Sequence, residues 1–212
     1  MLKVAAKNIL ADFKSQFIEM FGDLGEDPFG FGLTTLGECT LLNPRKPKNI
    51  PDDLKVSFVA MPSVSEKGII DASTIKNYGE VNKGFTYFEE DDVLFAKITP
   101  CMENGKGCVA TGLCNRVGFG STEFHVLRPV SGKSNPYWIY AITSMKSFRD
   151  MAKKNMTGTG GQLRVPVSFL ENFEIACPPI ELQLAFERKF KQIDKSKFMH
   201  NIATKGETYA YI

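Results

Sequence analysis

No Cys-x-x-Cys pair occurs in these 212 residues, and the five cysteines (Cys39, Cys101, Cys108, Cys114 and Cys177) are an odd number. That pattern suggests neither a zinc site nor a disulfide framework, and reduced, buried thiols in a cytoplasmic protein are the expectation. Long apolar runs are missing as well. None approaches the roughly 20 residues that cross a bilayer, so no membrane association is expected. The amino-terminal "MLKVAAKNILADFKSQF" carries Asp12 and lacks a cleavage site, unlike a secretory signal. Charge of one sign is also lacking: 26 Lys and Arg against 24 Asp and Glu leave a net +2. Any nucleic-acid footprint must therefore be local. Histidine is scarce, and His125 and His200 have no Ser or Cys partner at a recognisable spacing.

What is present suits one globular domain with appendages. Hydrophobic residues make up 43% of the chain, with 17 Phe, enough for a sizeable core. Ala6, Ile9, Phe13, Phe17 and Met20 recur at helical spacing up to Gly22, and "GDLGEDPFGFG" reads as a linker. A β-rich middle follows, with strands expected at 55–61, 85–88, 92–98, 107–111 and 122–129. Asn135 and Pro136 then open a helix as cap and first-turn residue. Its apolar face runs from Tyr137 to Ala152, and Lys146, Arg149 and Lys153 make a basic stripe. A last helix begins near Pro179 with Leu182, Phe186, Phe190 and Ile193 on one stripe. The class is α+β, a β-rich domain between two amphipathic helices whose apolar stripes could pair antiparallel. The segments are 1–21, 22–178, 179–200 and a tail at 201–212, which should fray.

Several chemistries are missing their parts. "TGTGGQLR" follows a helix rather than a strand and lacks the Lys-Ser/Thr ending of a phosphate-binding loop. "NPYW" superficially resembles the Asn/Asp-Pro-Pro-aromatic box of amino-methyltransferases, but the second Pro is absent. Glu187 and Lys189 have a Glu-x-Lys spacing with only Glu181 nearby, short of the carboxylate cluster a nuclease needs for Mg²⁺. His125, alternating within "TEFHVLRP", reads as a satisfied sheet residue. No catalytic set emerges, and neither a metal nor a cofactor is expected on this chain. Nucleic-acid recognition remains: a basic helix stripe can meet phosphates, and Gln162 and Arg164 are residue types that read adenine and guanine edges. The same features also suit a helix end rich in cations and an ordinary glycine turn.

"VLFAKITPCMENGKG", "GFGSTEFHVLRP" and "MTGTGGQLRVPVSFLENFEIACPPIELQ" occur here in the order that they have in one family. Together with "SQFIEMFGD", they make the chain resemble the specificity subunit of type I restriction-modification systems, up to about Lys197. The resemblance implies a target recognition domain at 22–178 that binds double-stranded DNA, flanked by spacer helices in an antiparallel coiled-coil arrangement. It implies no chemistry by the chain itself. Methylation subunits carrying S-adenosylmethionine, and a restriction subunit using ATP and Mg²⁺, would be the partners. Family members usually carry two recognition domains, and this chain has one. A homodimer of half-size subunits, a fragment and a silent recombination donor all stay open, as do an enzyme in its own right and a scaffold that no longer binds DNA. By position, the DNA-contact candidates are Thr157, Thr159, Gly160, Gly161, Gln162 and Arg164 in the glycine loop. Lys153 and Lys154 lie before it, and Lys97, Asn104 and Lys106 lie in or near "TPCMENGKG". Ser121, Thr122 and Glu123 are weaker candidates. Ala6, Phe13, Met20, Leu182, Phe186 and Ile193 would pair the helices. A family that reads many targets should not read bases with its shared motifs. "NPRKPKNIPDD" and "EKGIIDASTIKNYGE" are therefore alternative readers, and "GTGGQLRVP" is then a structural hairpin or a phosphate contact.

Overall fold

The chain alternates two kinds of apolar pattern, and each finds its own layer. The structure, a computed structural model, describes the backbone of residues 2–159 and 161–205 and the side chains of residues 12–192 apart from position 160. Its strands are β1 (Leu33–Thr35), β2 (Thr40–Leu42), β3 (Lys55–Val59), β4 (Ile75–Asn77), β5 (Thr86–Glu89), β6 (Val93–Ala96), β7 (Gly107–Val109), β8 (Val117–Gly120), β9 (Phe124–Pro129) and β10 (Glu174–Ala176). The helices are α1 (Leu2–Phe21), α2 (Leu36–Cys39), α3 (Tyr78–Val81), α4 (Pro136–Ser144), α5 (Lys146–Lys154), α6 (Val167–Glu171) and α7 (Ile180–Lys205). The last helix thus runs past His200 into the expected tail, whose positions 206–212 lie outside the described residues.

Two four-stranded sheets, ordered β2-β9-β6-β7 and β4-β3-β8-β5, carry the domain, and β1 pairs with β10 beside them. All pairings are antiparallel except β3 with β8. The apolar run "VLFA" of β6 is buried at every position, because the first sheet is covered on both faces. Val93 and Phe95 join Val109 and Leu127 in the core that includes the helices. Leu94 and Ala96 face the other way, with Val126, against Val59 and Phe88 of the second sheet. This is the two-residue period of a strand laid between two cores. A third cluster covers the far side of the second sheet, where Val56, Tyr87 and Phe119 meet Tyr78 and Val81 of α3 and the partly buried Ile50 and Leu54.

One buried ion pair ties the sheets together. Asp92, 1% exposed, accepts from Arg128 Nε and Nη2, both at 2.8 Å. It also accepts from the Glu89 N–H at 2.7 Å. No sequence motif announced it. Among the described residues the cysteines are free thiols, with the Cys39 and Cys177 sulfurs 3.8 Å apart.

The expected long helix from Asn135 is two helices. Its start is as read: the Asn135 carbonyl oxygen of the side chain accepts from the Tyr137 and Trp138 N–H groups. At Met145 the backbone turns extended, φ −67° and ψ 143°. Just before it, Thr143 and Ser144 donate their hydroxyls to the Tyr140 and Ala141 carbonyls. Such back-bonding competes with the helical ladder. The buried α4 can then end while α5 sets off with its polar face outward.

The terminal helices meet through aromatic rings. Phe13 lies 4.8 Å from Phe186 and 4.4 Å from Phe190 between ring centroids, and Phe17 and Phe21 also reach Phe186. Contact therefore moves back along α7 as α1 advances, the sense of an antiparallel pair. Met20 packs against the same core. Leu182 corrects the expectation: it is 39% exposed, and Gln183 is the buried residue at 0%. The reason is polar. Gln183 accepts from the Asn135 N–H at 2.9 Å and donates to the Lys133 and Pro178 carbonyls. Asn135 Nδ2 donates to Glu187 at 2.6 Å. These bonds fix which face α7 turns to α4, and Leu182 is left outside. Ala6 and Ile193 lie outside the described side chains.

Candidate nucleic-acid interface

The glycine-rich stretch closes on itself. Thr157 and Arg164 exchange backbone bonds, N–H to carbonyl at 2.9 and 2.8 Å, and Gln162 N–H reaches the Thr159 carbonyl. Gly158 has φ +136°, and a Cβ there would sit 2.5 Å from the Gln162 carbonyl oxygen. The backbone that needs a bare glycine is thus the other limb of the same hairpin. Gly160 lies outside the described residues. Thr157, Thr159, Gly161 and Gln162 are exposed at the tip.

The hairpin root is held by an ion pair. Arg164 donates from Nη2 and Nε to Glu123 at 2.7 and 2.9 Å, a two-pronged geometry. The Arg164 hydrogen bond is the main cause that holds the Glu123 carboxyl below its ordinary pKa. Lys97 lies in this group, its pKa lowered by burial first, with Arg164 adding to the effect and Glu123 opposing it. The Lys97 carbonyl accepts from the Val165 N–H at 2.9 Å.

The loop carrying "TPCMENGKG" joins the same edge. Thr99 N–H meets the Leu163 carbonyl at 3.0 Å, and Met102 is fully buried beneath. Glu103 braces the turn against α5: Lys153 Nζ approaches its carboxylate at 3.1 Å, and Arg149 Nη1 donates to its carbonyl at 2.8 Å. Lys106 donates to the Met61 carbonyl at 3.2 Å, and Lys146 bonds Asp150 at 2.5 Å. The structure thus gathers the sequence candidates on one edge. Lys153, Arg164 and Lys106 already have internal partners there, and Asn104 and Lys154 are exposed.

His125 is 6% exposed. Its Nε2 is 2.8 Å from the Val165 carbonyl, and its Nδ1 is 3.1 Å from Asn43 Nδ2. Burial pulls its pKa below the ordinary value. Among the described residues, no three His, Cys, Asp or Glu side chains gather as a metal site, and no helix is long and apolar enough to cross a membrane.

A second basic surface lies on "NPRKPKNIPDD", the loop named in the sequence as an alternative reader without residues singled out. Arg45, Lys46 and Lys48 of the loop before β3, and Lys83 before β5, are exposed. The alternation of Pro and Lys in "NPRKPKN" was its only sequence signal.

The type I restriction modification DNA specificity domain family matches residues 35–205. Over 156 residues, 73% of this chain, the sequence is 43% identical to the type I restriction enzyme EcoEI specificity subunit of Escherichia coli. Over 171 residues, 79% of the chain, it is 38% identical to the EcoAI specificity subunit of the same organism. These matches take up only 26% and 28% of those relatives. In fold, the chain resembles the HsdS subunit of Thermoanaerobacter tengcongensis, with a TM-score of 0.57 and 18% identity, over 97% of this chain and 48% of that one. A chain from a structure concerned with complex assembly and conformational transition of the type I R-M system aligns with a TM-score of 0.62 at 18% identity, over 95% and 48% of the two. The extent of the family match and the identity to both subunits decide the point: the chain belongs to the family of type I restriction modification DNA specificity domains.

Proposed function

We propose that this chain recognises double-stranded DNA for a type I restriction-modification complex, reading one half of a bipartite target and performing no chemistry itself. Family membership carries the reading. The ordered edge built around the Glu123–Arg164 pair supports it, since groups that contact DNA must be held in register. Lys153, Lys154, Asn104, Thr157, Thr159 and Gln162 are exposed groups of that edge, and we assign them to phosphates or base edges. Methylation subunits dock on the chain and bring S-adenosylmethionine, and a restriction subunit brings ATP and Mg²⁺. The aromatic pairing of α1 with α7 serves as the spacer that sets the distance to a second recognition domain.

The test is the adenine-methylation pattern of cells that express the chain with its methylation subunit, read by direct sequencing of modified bases. A new split motif that disappears when the chain is deleted is the expected result. An active methylation subunit that gains no motif from this chain would overturn the reading in favour of a scaffold or a silent donor. Methylation or cleavage by the purified chain alone would overturn it in favour of an enzyme.

A further inference from the structure

Three cations around the hairpin face carboxylates: Arg164 has Glu123, Lys153 has Glu103 and Lys146 has Asp150, while the exposed Lys154 has none within salt-bridge distance among the described residues. The loop at 43–49 and the turn at 82–85 differ. Arg45, Lys46, Lys48 and Lys83 have no carboxylate within salt-bridge distance among the described residues. Of the acidic residues nearby, Glu80 of α3 has its carboxylate engaged by the Asn77 N–H at 2.7 Å, and Asp52 and Asp53, farther along the same connection, are exposed, Asp52 lying against Gly79.

These cations stand on a fixed base. Asn43 takes a left-handed φ of 47°. Its N–H donates to the Val126 carbonyl, and its side-chain oxygen accepts from the Val126 N–H. Pro44 and Pro47 restrict the backbone on either side of Arg45 and Lys46. Lys46 donates to the Asn82 carbonyl and lies 5.2 Å from the Tyr78 ring centroid, so it pins the loop to the turn that carries Lys83. Beside them Phe85 is 40% exposed, held edge-on to Phe58 at 4.9 Å. Cations without counter-charges, fixed before binding and bordered by an exposed ring, make a surface suited to a polyanion.

We infer that this surface, on the second sheet rather than at the hairpin, is a principal DNA-contacting face, with Arg45, Lys48 and Lys83 meeting the phosphates of a duplex and Phe85 lying against it. The inference rests on the DNA-recognition reading above and adds the face to it.

The experiment is the salt dependence of binding to a fluorescent duplex of mixed sequence, with the full chain and two variants. R45A/K48A/K83A removes the free cations and leaves the structural Lys46. K153A/K154A alters the hairpin edge. Each lost phosphate contact lowers the slope of log affinity against log salt by about 0.9, so the triple variant should lose about 3 and bind at least about tenfold more weakly near 0.1 M salt. Circular dichroism should report an unchanged fold. A triple variant with the parent slope and affinity overturns the inference, more pointedly if K153A/K154A loses both. If the unaltered chain neither binds the duplex at low salt nor directs a methylation motif, the recognition reading fails and the face falls with it. If the chain directs a motif that the triple variant leaves at full efficiency, only the choice of face is wrong.

Discussion

His125 shows how little a residue's type says until its neighbours are placed. Its ring is buried between the Val165 carbonyl and Asn43, and burial holds its pKa below the ordinary 6.5. The unfolded chain therefore takes up a proton more readily than the folded one as pH falls through that value. Stability present above it is lost toward acid. Thermal unfolding followed from pH 8 to 5.5 should show a falling midpoint, and His125→Gln should flatten that dependence. An unchanged slope would mean the ring protonates without cost. The alternation in "TEFHVLRP" already placed this side chain in a sheet. Its partners were not legible, because Asn43 lies 82 residues away along the chain. The same holds for Gly158. The glycine run was legible as a turn or a contact loop, but the atom that keeps Gly158 bare, the Gln162 carbonyl oxygen inside the loop, was not.

At the scale of elements, the apolar stripe of α7 tests how far periodicity reaches. Phe186 is 1% exposed among the rings of α1, and Leu182, one turn earlier on the expected stripe, is 39% exposed. Phe186→Ala should cost about 3–5 kcal/mol in urea denaturation, and Leu182→Ala no more than about 0.5 kcal/mol. Equal costs would show that the ring cluster is not what joins the helices. Helical spacing located both helices and the aromatic residues that join them. It missed the register at the start of α7 because Gln183, a polar side chain, is the buried anchor there. Strands β3, β5, β6, β7 and β9 were legible from Val, Phe, Tyr and Thr content. The three-residue strands β1, β2, β4 and β10 were not, since outside a longer β-like run three positions display no period, and neither was β8, where glycine fills every second position. Asp92 and Arg128 lie between these scales. Asp92→Ala leaves the Arg128 guanidinium with Glu89 at 3.1 Å and the Tyr87 ring but without its buried carboxylate, and it should destabilise the protein by about 3 kcal/mol, as read by the same denaturation.

For the whole molecule, the question is what one recognition domain with a helix at each end can read. The helices leave the same side of the domain paired with each other, and α7 is locked to the cap of α4 through Gln183 and Glu187. The direction of the pair is thus fixed relative to the sheets that hold the loops proposed to face DNA. If two copies associate through such helices, two-fold symmetry places their recognition surfaces in opposite orientations. A symmetric protein reads inverted identical half-sites. The expected methylation motif therefore consists of two identical halves in inverted orientation, separated by a spacer of constant length. Sedimentation of the purified chain should show a species of twice its mass. An asymmetric motif would overturn the dimer and require a second, different recognition domain in trans. In that case this chain would set only one half of the motif, and R45A/K48A/K83A should weaken methylation of the whole site without altering the sequence of the other half.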